Sequence, residues 1–104
     1  MNPEALSITI QLLLVRQDGK LVPYGTPFEI RAAVQCAPDA LRLTIEHTPD
    51  NSLQLERLNQ HGGAENGGYL SVTIGDAARI WAVGSSFLST GEPLRMNLHA
   101  VDVG

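Results

Sequence analysis

The sequence predicts an all-β domain, and three observations support that class. Apolar residues recur at every second position in several short runs, which is the spacing of half-buried strands because successive side chains of a strand point to opposite faces. Gly, Pro, Asn and Asp residues, which favour turns, separate these runs. No helix of useful length is visible. We therefore expect a β-sandwich of about seven antiparallel strands, with residues 1–104 forming a single domain.

The first predicted strand covers residues 6–16, and its second half is apolar at consecutive positions, so both of its faces should be covered there. Asp18 followed by Gly19 predicts a tight turn after it. Pro23 and Pro27 cannot donate ladder hydrogen bonds, which predicts an edge segment or a loop. A short extra strand could form at residues 21–22. The remaining strands are predicted at residues 28–35, 41–47, 52–58, 69–75, 79–83 and 93–103.

The alternating positions of these strands define the expected core. Their apolar side chains should fill the space between the two sheets. The predicted core consists of Leu6, Ile8, Ile10, Leu12, Phe28, Ile30, Val34, Leu41, Leu43, Ile45, Leu53, Leu55, Leu70, Val72, Ile74, Ile80, Trp81, Leu94, Met96 and Leu98.

Composition and charge exclude several classes of function. The hydrophobic share of 43% is close to that of ordinary globular proteins, which argues against intrinsic disorder. The net charge of −4 argues against nucleic-acid binding, which needs a basic face. The seven basic residues are scattered, as solvated surface positions usually are. No stretch approaches the roughly 20 apolar residues of a membrane span, so we expect no membrane insertion.

The cellular location depends on whether Met1 is the natural start. Cys36 is the only cysteine, so no disulfide can form within the chain, which fits a reducing compartment. The first residues lack the basic segment of a signal peptide. The chain would then be cytoplasmic if Met1 is natural, and cell-surface or secreted if it is an excised domain.

The C-terminal third carries the most recognisable arrangement. Trp81 and Gly84 are followed by Gly91 and Glu92 and then by a long alternating strand. Over residues 22–103 this layout resembles the bacterial immunoglobulin-like "conserved repeat" modules of large surface proteins, and the start of the strand after Gly25 matches it too. The resemblance implies an immunoglobulin-like β-sandwich that acts as a structural or protein-binding module. The chain departs from these modules by lacking the asparagine that often follows their second strand.

Trp81 can be placed in two ways. If Ile80 and Ala82 face the core, the indole is exposed and could stack on a sugar or anchor a partner. If the sequence follows the immunoglobulin-like pattern, the indole fills the core, where its burial would contribute several kcal/mol by the area rule of roughly 25 cal/mol per Å². We favour the core placement.

No motif indicates catalysis, a metal or a cofactor. His47, His61 and His99 show no short zinc-ligand spacing, and the acidic residues in loops form no Asp-x-Asp arrangement that would suggest calcium. The glycine-rich loop 59–68 precedes a strand, whereas a phosphate-binding loop precedes a helix. Cys36 has no sequence cue for a reactive thiolate, and no serine lies in a Gly-x-Ser-x-Gly context. We expect no enzyme activity, metal or cofactor.

The expected function is a non-catalytic structural or protein-binding module, part of a larger bacterial protein or assembly. The alternative is a carbohydrate- or small-ligand-binding β-sandwich that uses Trp81 and the 59–68 loop. A protein partner or neighbouring domain is expected, and a homodimer could form through the final strand if that strand lies at a sheet edge. The residues proposed to contact a ligand or partner are Trp81, Tyr24, Tyr69, His61 and Asn66.

Overall fold

The protein folds into six strands and one helix. The structure is a computed structural model that describes residues 5–63 and 68–101. The strands and the helix confirm the all-β class, with one helix added. In chain order they are β1 (Ala5–Val15), β2 (Leu21–Ala37), β3 (Ala40–Ile45), α1 (Ser52–Gly62), β4 (Tyr69–Ile74), β5 (Ala77–Phe87) and β6 (Leu94–Ala100).

The strands close into one antiparallel barrel in the order β1-β2-β3-β6-β5-β4. Each half of the barrel is a three-stranded meander, and α1 connects the two halves. Strands β4-β1-β2-β3 stand in the spatial order of a Greek key. The described strands number six rather than seven, because residues 52–58 form a helix, and the possible extra strand at residues 21–22 belongs to the long strand β2. Alternation marks an inward and an outward face in a barrel as well as in a sandwich, so it could not distinguish the two.

The final strand does not lie at an edge. Strand β6 pairs with β3 on one side and with β5 on the other along its length. The expectation of a dimer through the backbone of this strand is therefore wrong, because its hydrogen-bonding groups already have partners within the barrel.

The core lies inside the barrel and matches most of the predicted residues. Leu6 and Leu53 were expected in the core but are exposed. Leu6 lies near the start of β1, beyond the last residue of β1 that pairs with β4, and Leu53 lies on the outer face of α1 with 57% of its surface exposed. Phe28, Val34, Ile74 and Ile80 are half-buried. The buried core cluster comprises Ile8, Ile10, Leu12, Ile30, Ala32, Leu41, Leu43, Ile45, Leu55, Leu58, Leu70, Val72, Trp81, Leu94, Met96 and Leu98.

Residues 52–58 form a helix and not the predicted strand. The alternation of Leu53 and Leu55 is coincidental, since the buried residues are Leu55, Leu58 and His61, three positions apart. Such spacing places them on one helical face. Asn51 stabilises the turn before the helix. Its side chain accepts a hydrogen bond from the Thr48 N–H at 2.8 Å and donates one to the Glu46 carbonyl at 2.7 Å.

The two ends of the barrel differ. We call the end with α1 and the β1–β2 turn the helix end, and the end with the β2–β3 and β4–β5 turns the hairpin end. At the hairpin end, Trp81 faces the core with 3% of its surface exposed, which confirms its core placement. The Arg79 guanidinium lies 4.6 Å from the centroid of the indole and donates to the Pro38 carbonyl at 2.9 Å. Arg79 therefore connects β5 to the β2–β3 turn above Trp81.

Candidate functional site at the helix end

Strand β2 separates from β3 at the helix end, and α1 lies across this end of the barrel. The two strands pair only from Ala33 with Thr44 to Ala37 with Ala40, so residues 21–24 and 28–32 of β2 pair with β1 alone. Leu55 and Leu58 of the helix are fully buried in the barrel core. The helix thus covers this end of the barrel and packs on β5.

His61 fastens the end of the helix to two strands. Its Nε2 lies 2.9 Å from the carbonyl oxygen of Leu13 in β1 and 3.1 Å from that of Tyr69 in β4. Since both partners are carbonyl oxygens, Nε2 must carry the proton and donate to them. The ring is buried, so the loss of this donor would remove two hydrogen bonds between the helix and the strands from a largely dry environment. His61 therefore holds the helix against the barrel.

The ring of Tyr24, in β2, stacks on the ring of His61. Its ring is nearly parallel to that of His61, with an angle of 11° and 6.3 Å between centroids, and 55% of the residue is exposed. A local irregularity in the β1–β2 pairing presents Tyr24 in this way. Gly25 adopts φ +75° there, and the Gln11 side-chain amide donates to the Tyr24 and Gly25 carbonyls at 3.3 and 3.2 Å.

Between Tyr24 and α1 lies a cleft of about 700 Å³, which we call the aromatic cleft. Its walls come from the β1–β2 hairpin on one side and the exposed face of the helix on the other. An aromatic ring, aliphatic side chains and a guanidinium together suit the recognition of flat or apolar groups with polar edges. The cleft is lined by Leu12, Leu14, Tyr24, Gly25, Thr26, Phe28, Arg57, Gln60 and His61.

The structure brings together only part of the predicted site. Tyr24 and His61 meet in the aromatic cleft, and half-buried Tyr69 contributes its backbone carbonyl to His61. Trp81 is inside the barrel and does not reach the surface of the cleft. Asn66 lies outside the described residues.

Sequence reasoning missed Arg57 and Gln60. Both lie on the exposed face of α1 and line the aromatic cleft. They were assigned to a strand and to a loop, so no face could be given to them. The spacing of Leu55, Leu58 and His61 was the available signal for a helix, followed by two glycines that suit a helix end.

The potential metal-ligating side chains of the described residues do not converge on a metal site. No group of three or more His, Cys, Asp and Glu side chains is placed to hold an ion within residues 5–63 and 68–101. Cys36 is exposed near the hairpin end, with its Sγ 3.6 Å from the Ala37 carbonyl.

Comparison of the chain with protein-family models, with curated proteins and with solved structures gave no match. Within the described residues, α1 is too short and too polar to cross a bilayer.

Proposed function

We propose that the chain is a non-catalytic protein-binding module that contacts its partner with the helix end of the barrel. One observation carries this proposal: among the described residues, the large apolar side chains that are exposed concentrate at that end. Only Leu6 lies at the hairpin end. The others, all on α1, the β1–β2 hairpin or the end of β5, are Leu14, Val15, Tyr24, Leu53 and Phe87.

The composition of this surface resembles that of protein interfaces. Exposed apolar and aromatic side chains alternate there with Glu56, Arg57 and Gln60 of the helix. Interfaces typically combine an apolar centre, in which Tyr, Phe and Arg are enriched, with a polar rim. Singly exposed apolar residues need no explanation, but a concentration at one end supports an interaction surface.

The surface is also held in shape before any partner binds. Leu55 and Leu58 anchor α1 in the core, and the His61 bonds fix its C-terminal end. The Ser86 hydroxyl donates to the side-chain oxygen of Asn59 at 2.8 Å and ties the helix to β5. A preformed surface loses less conformational entropy on association, which favours binding.

A carbohydrate or small polar ligand is the second candidate, and the aromatic cleft is the observation that favours it. Tyr24 offers an exposed ring face, with Thr26, Arg57 and Gln60 as hydrogen-bonding neighbours. Sugar rings stack on such faces while their hydroxyls bond to the polar rim. Trp81 contributes nothing to this binding mode because it is buried.

The first experiment selects binders from a phage-displayed peptide library on the intact chain. Enriched peptides are then measured against the variants Tyr24→Ser and Phe87→Ser, with Leu6→Ser as the matched control at the hairpin end. We expect the helix-end variants to weaken binding at least tenfold and the control to leave it unchanged. Peptides that bind all three variants equally would overturn the proposal.

Two further measurements identify the class of partner. Sedimentation velocity reports whether the chain associates with itself, and loss of self-association in Phe87→Ser would make a second copy the partner. Binding to a glycan panel that disappears in Tyr24→Ser, without enrichment of peptides at the helix end, would replace the protein partner by a carbohydrate.

A further inference from the structure

A second depression opens where β2 and β3 diverge, and we call it the fork. It has a volume of about 490 Å³ and lies between residues 29–33 of β2, the end of β3 and the start of α1. The side chains that matter for its chemistry are Glu29, Arg31, Thr44, Glu46, Asp50 and Gln54.

One side of the fork is a strand edge that pairs with no other strand among the described residues. Residues 28–32 of β2 pair with β1, but β3 pairs with β2 only from Ala33 onward. Alternate residues of a strand direct their N–H and C=O groups to opposite sides, so every second residue of 28–32 directs them toward the fork. Such an edge can accept a further strand. Pro23 and Pro27 precede this segment and leave its own amides intact.

The charges of the fork favour a cationic occupant. Glu29, Glu46 and Asp50 line it, whereas Arg31 is the one basic residue among the described residues that line it. The Arg31 guanidinium is already engaged, because it donates to the Ala5 carbonyl at 3.2 Å. An added positive charge would meet an excess of carboxylates, which gives electrostatic complementarity.

Gln54 provides an independent indication of a donor. Its side-chain oxygen is buried and is the one buried side-chain polar atom of the described residues that has no hydrogen-bond partner. An amide oxygen can only accept, and leaving a buried acceptor without a partner carries an energetic cost. A ligand that supplies an N–H at this position would remove that cost.

We propose that the fork binds an extended peptide segment of a partner protein that carries a lysine or an arginine. The peptide backbone pairs with the free edge of residues 28–32. Its cationic side chain lies among the carboxylates of Glu29, Glu46 and Asp50, and a rotation of the Gln54 side chain toward the fork lets Oε1 accept a hydrogen bond from it. The inference rests on the proposed protein-binding function and specifies the binding mode and the chemistry of the partner.

The test uses two capped seven-residue peptides of alternating threonine and valine, one with a central lysine and one with glutamine in its place. Binding to the isotope-labelled chain is followed by amide chemical shifts. We expect the lysine peptide to bind at least tenfold more tightly, with the largest shifts at residues 28–32. Gln54→Met and Glu46→Gln should each weaken it several-fold, whereas Asp76→Asn, at the hairpin end, should not.

Several results would overturn the inference. The inference fails if the two peptides bind equally tightly, or if Gln54→Met and Glu46→Gln leave the binding unchanged. It also fails if lysine amide binds as tightly as the lysine peptide. Shifts confined to the aromatic cleft would refute the fork while leaving the proposed function intact. The failure of library-selected peptides to depend on Tyr24 and Phe87 would instead refute the proposed function. Thermal melting of each variant establishes that it is folded.

Discussion

The helix end and the hairpin end close the same barrel by different means. At the hairpin end, β2 and β3 stay paired up to their turn, and Arg79 extends from β5 to the Pro38 carbonyl across Trp81. At the helix end, the two strands separate and an inserted helix supplies Leu55 and Leu58 to the core. Continuous strand pairing leaves little backbone free, whereas closure by a helix leaves a strand edge and two depressions. A depression of about 490 Å³ also lies beside the β2–β3 turn, so what distinguishes the helix end is the strand edge next to its depressions.

This difference predicts that the stability of the helix end depends on a few buried side chains of α1. Leu58→Ala should lower the free energy of unfolding by about 2–5 kcal/mol, because it removes a fully buried side chain that the helix contributes to the core. Leu53→Ala, five residues earlier on the exposed face, should change it by less than about 0.5 kcal/mol. Urea unfolding of the two variants measures both values. Equal losses would contradict the placement of the helix.

Sequence reasoning succeeded where packing is repetitive and failed where it is not. The inward positions of β1, β3, β4 and β6 alternate regularly, and nearly all of them were assigned to the core. The helix was missed because Leu53 and Leu55 imitate the alternation of a strand over a short run. A helix this short is stabilised mainly by packing of its buried side chains against the rest of the protein, which local sequence preference does not reveal.

Barrel closure and the candidate site could not be predicted for a related reason. Both depend on which strands are neighbours, and the pairings of β1 with β4 and β3 with β6 join residues far apart in the chain. Tyr24 and His61 were identified as candidate contacts by residue type. Their stacking, and the unpaired edge of β2, follow only from these long-range pairings.

Two glycine-to-alanine substitutions should lower the free energy of unfolding by an intermediate amount and compare the packing at the end of α1 with that in β5. A Cβ at Gly68 would lie 2.6 Å from the His61 carbonyl oxygen and would press on the end of α1, so Gly68→Ala should destabilise the chain by about 1–3 kcal/mol. A Cβ at Gly84, in β5, would meet the exposed ring of His99, which can rotate away. Gly84→Ala should therefore cost less than Gly68→Ala. Thermal or urea unfolding compares the pair, and a larger loss for Gly84→Ala would contradict the tight packing of the helix end.

The smallest expected effect lies at the hairpin end, where closure rests on backbone pairing and Arg79 adds to it. Arg79→Ala should cost about 0.5–1 kcal/mol, the usual contribution of an exposed cation–π contact, because the strands around Trp81 remain paired. Tryptophan emission of the unmodified chain should be blue-shifted and resistant to iodide, since the indole is buried. In Arg79→Ala, iodide quenching should increase while the emission maximum moves little. Arg95→Ala on β6, whose side chain is exposed, serves as the control and should alter neither property. A large red shift in Arg79→Ala would mean that the arginine, rather than strand pairing, keeps this end of the barrel closed.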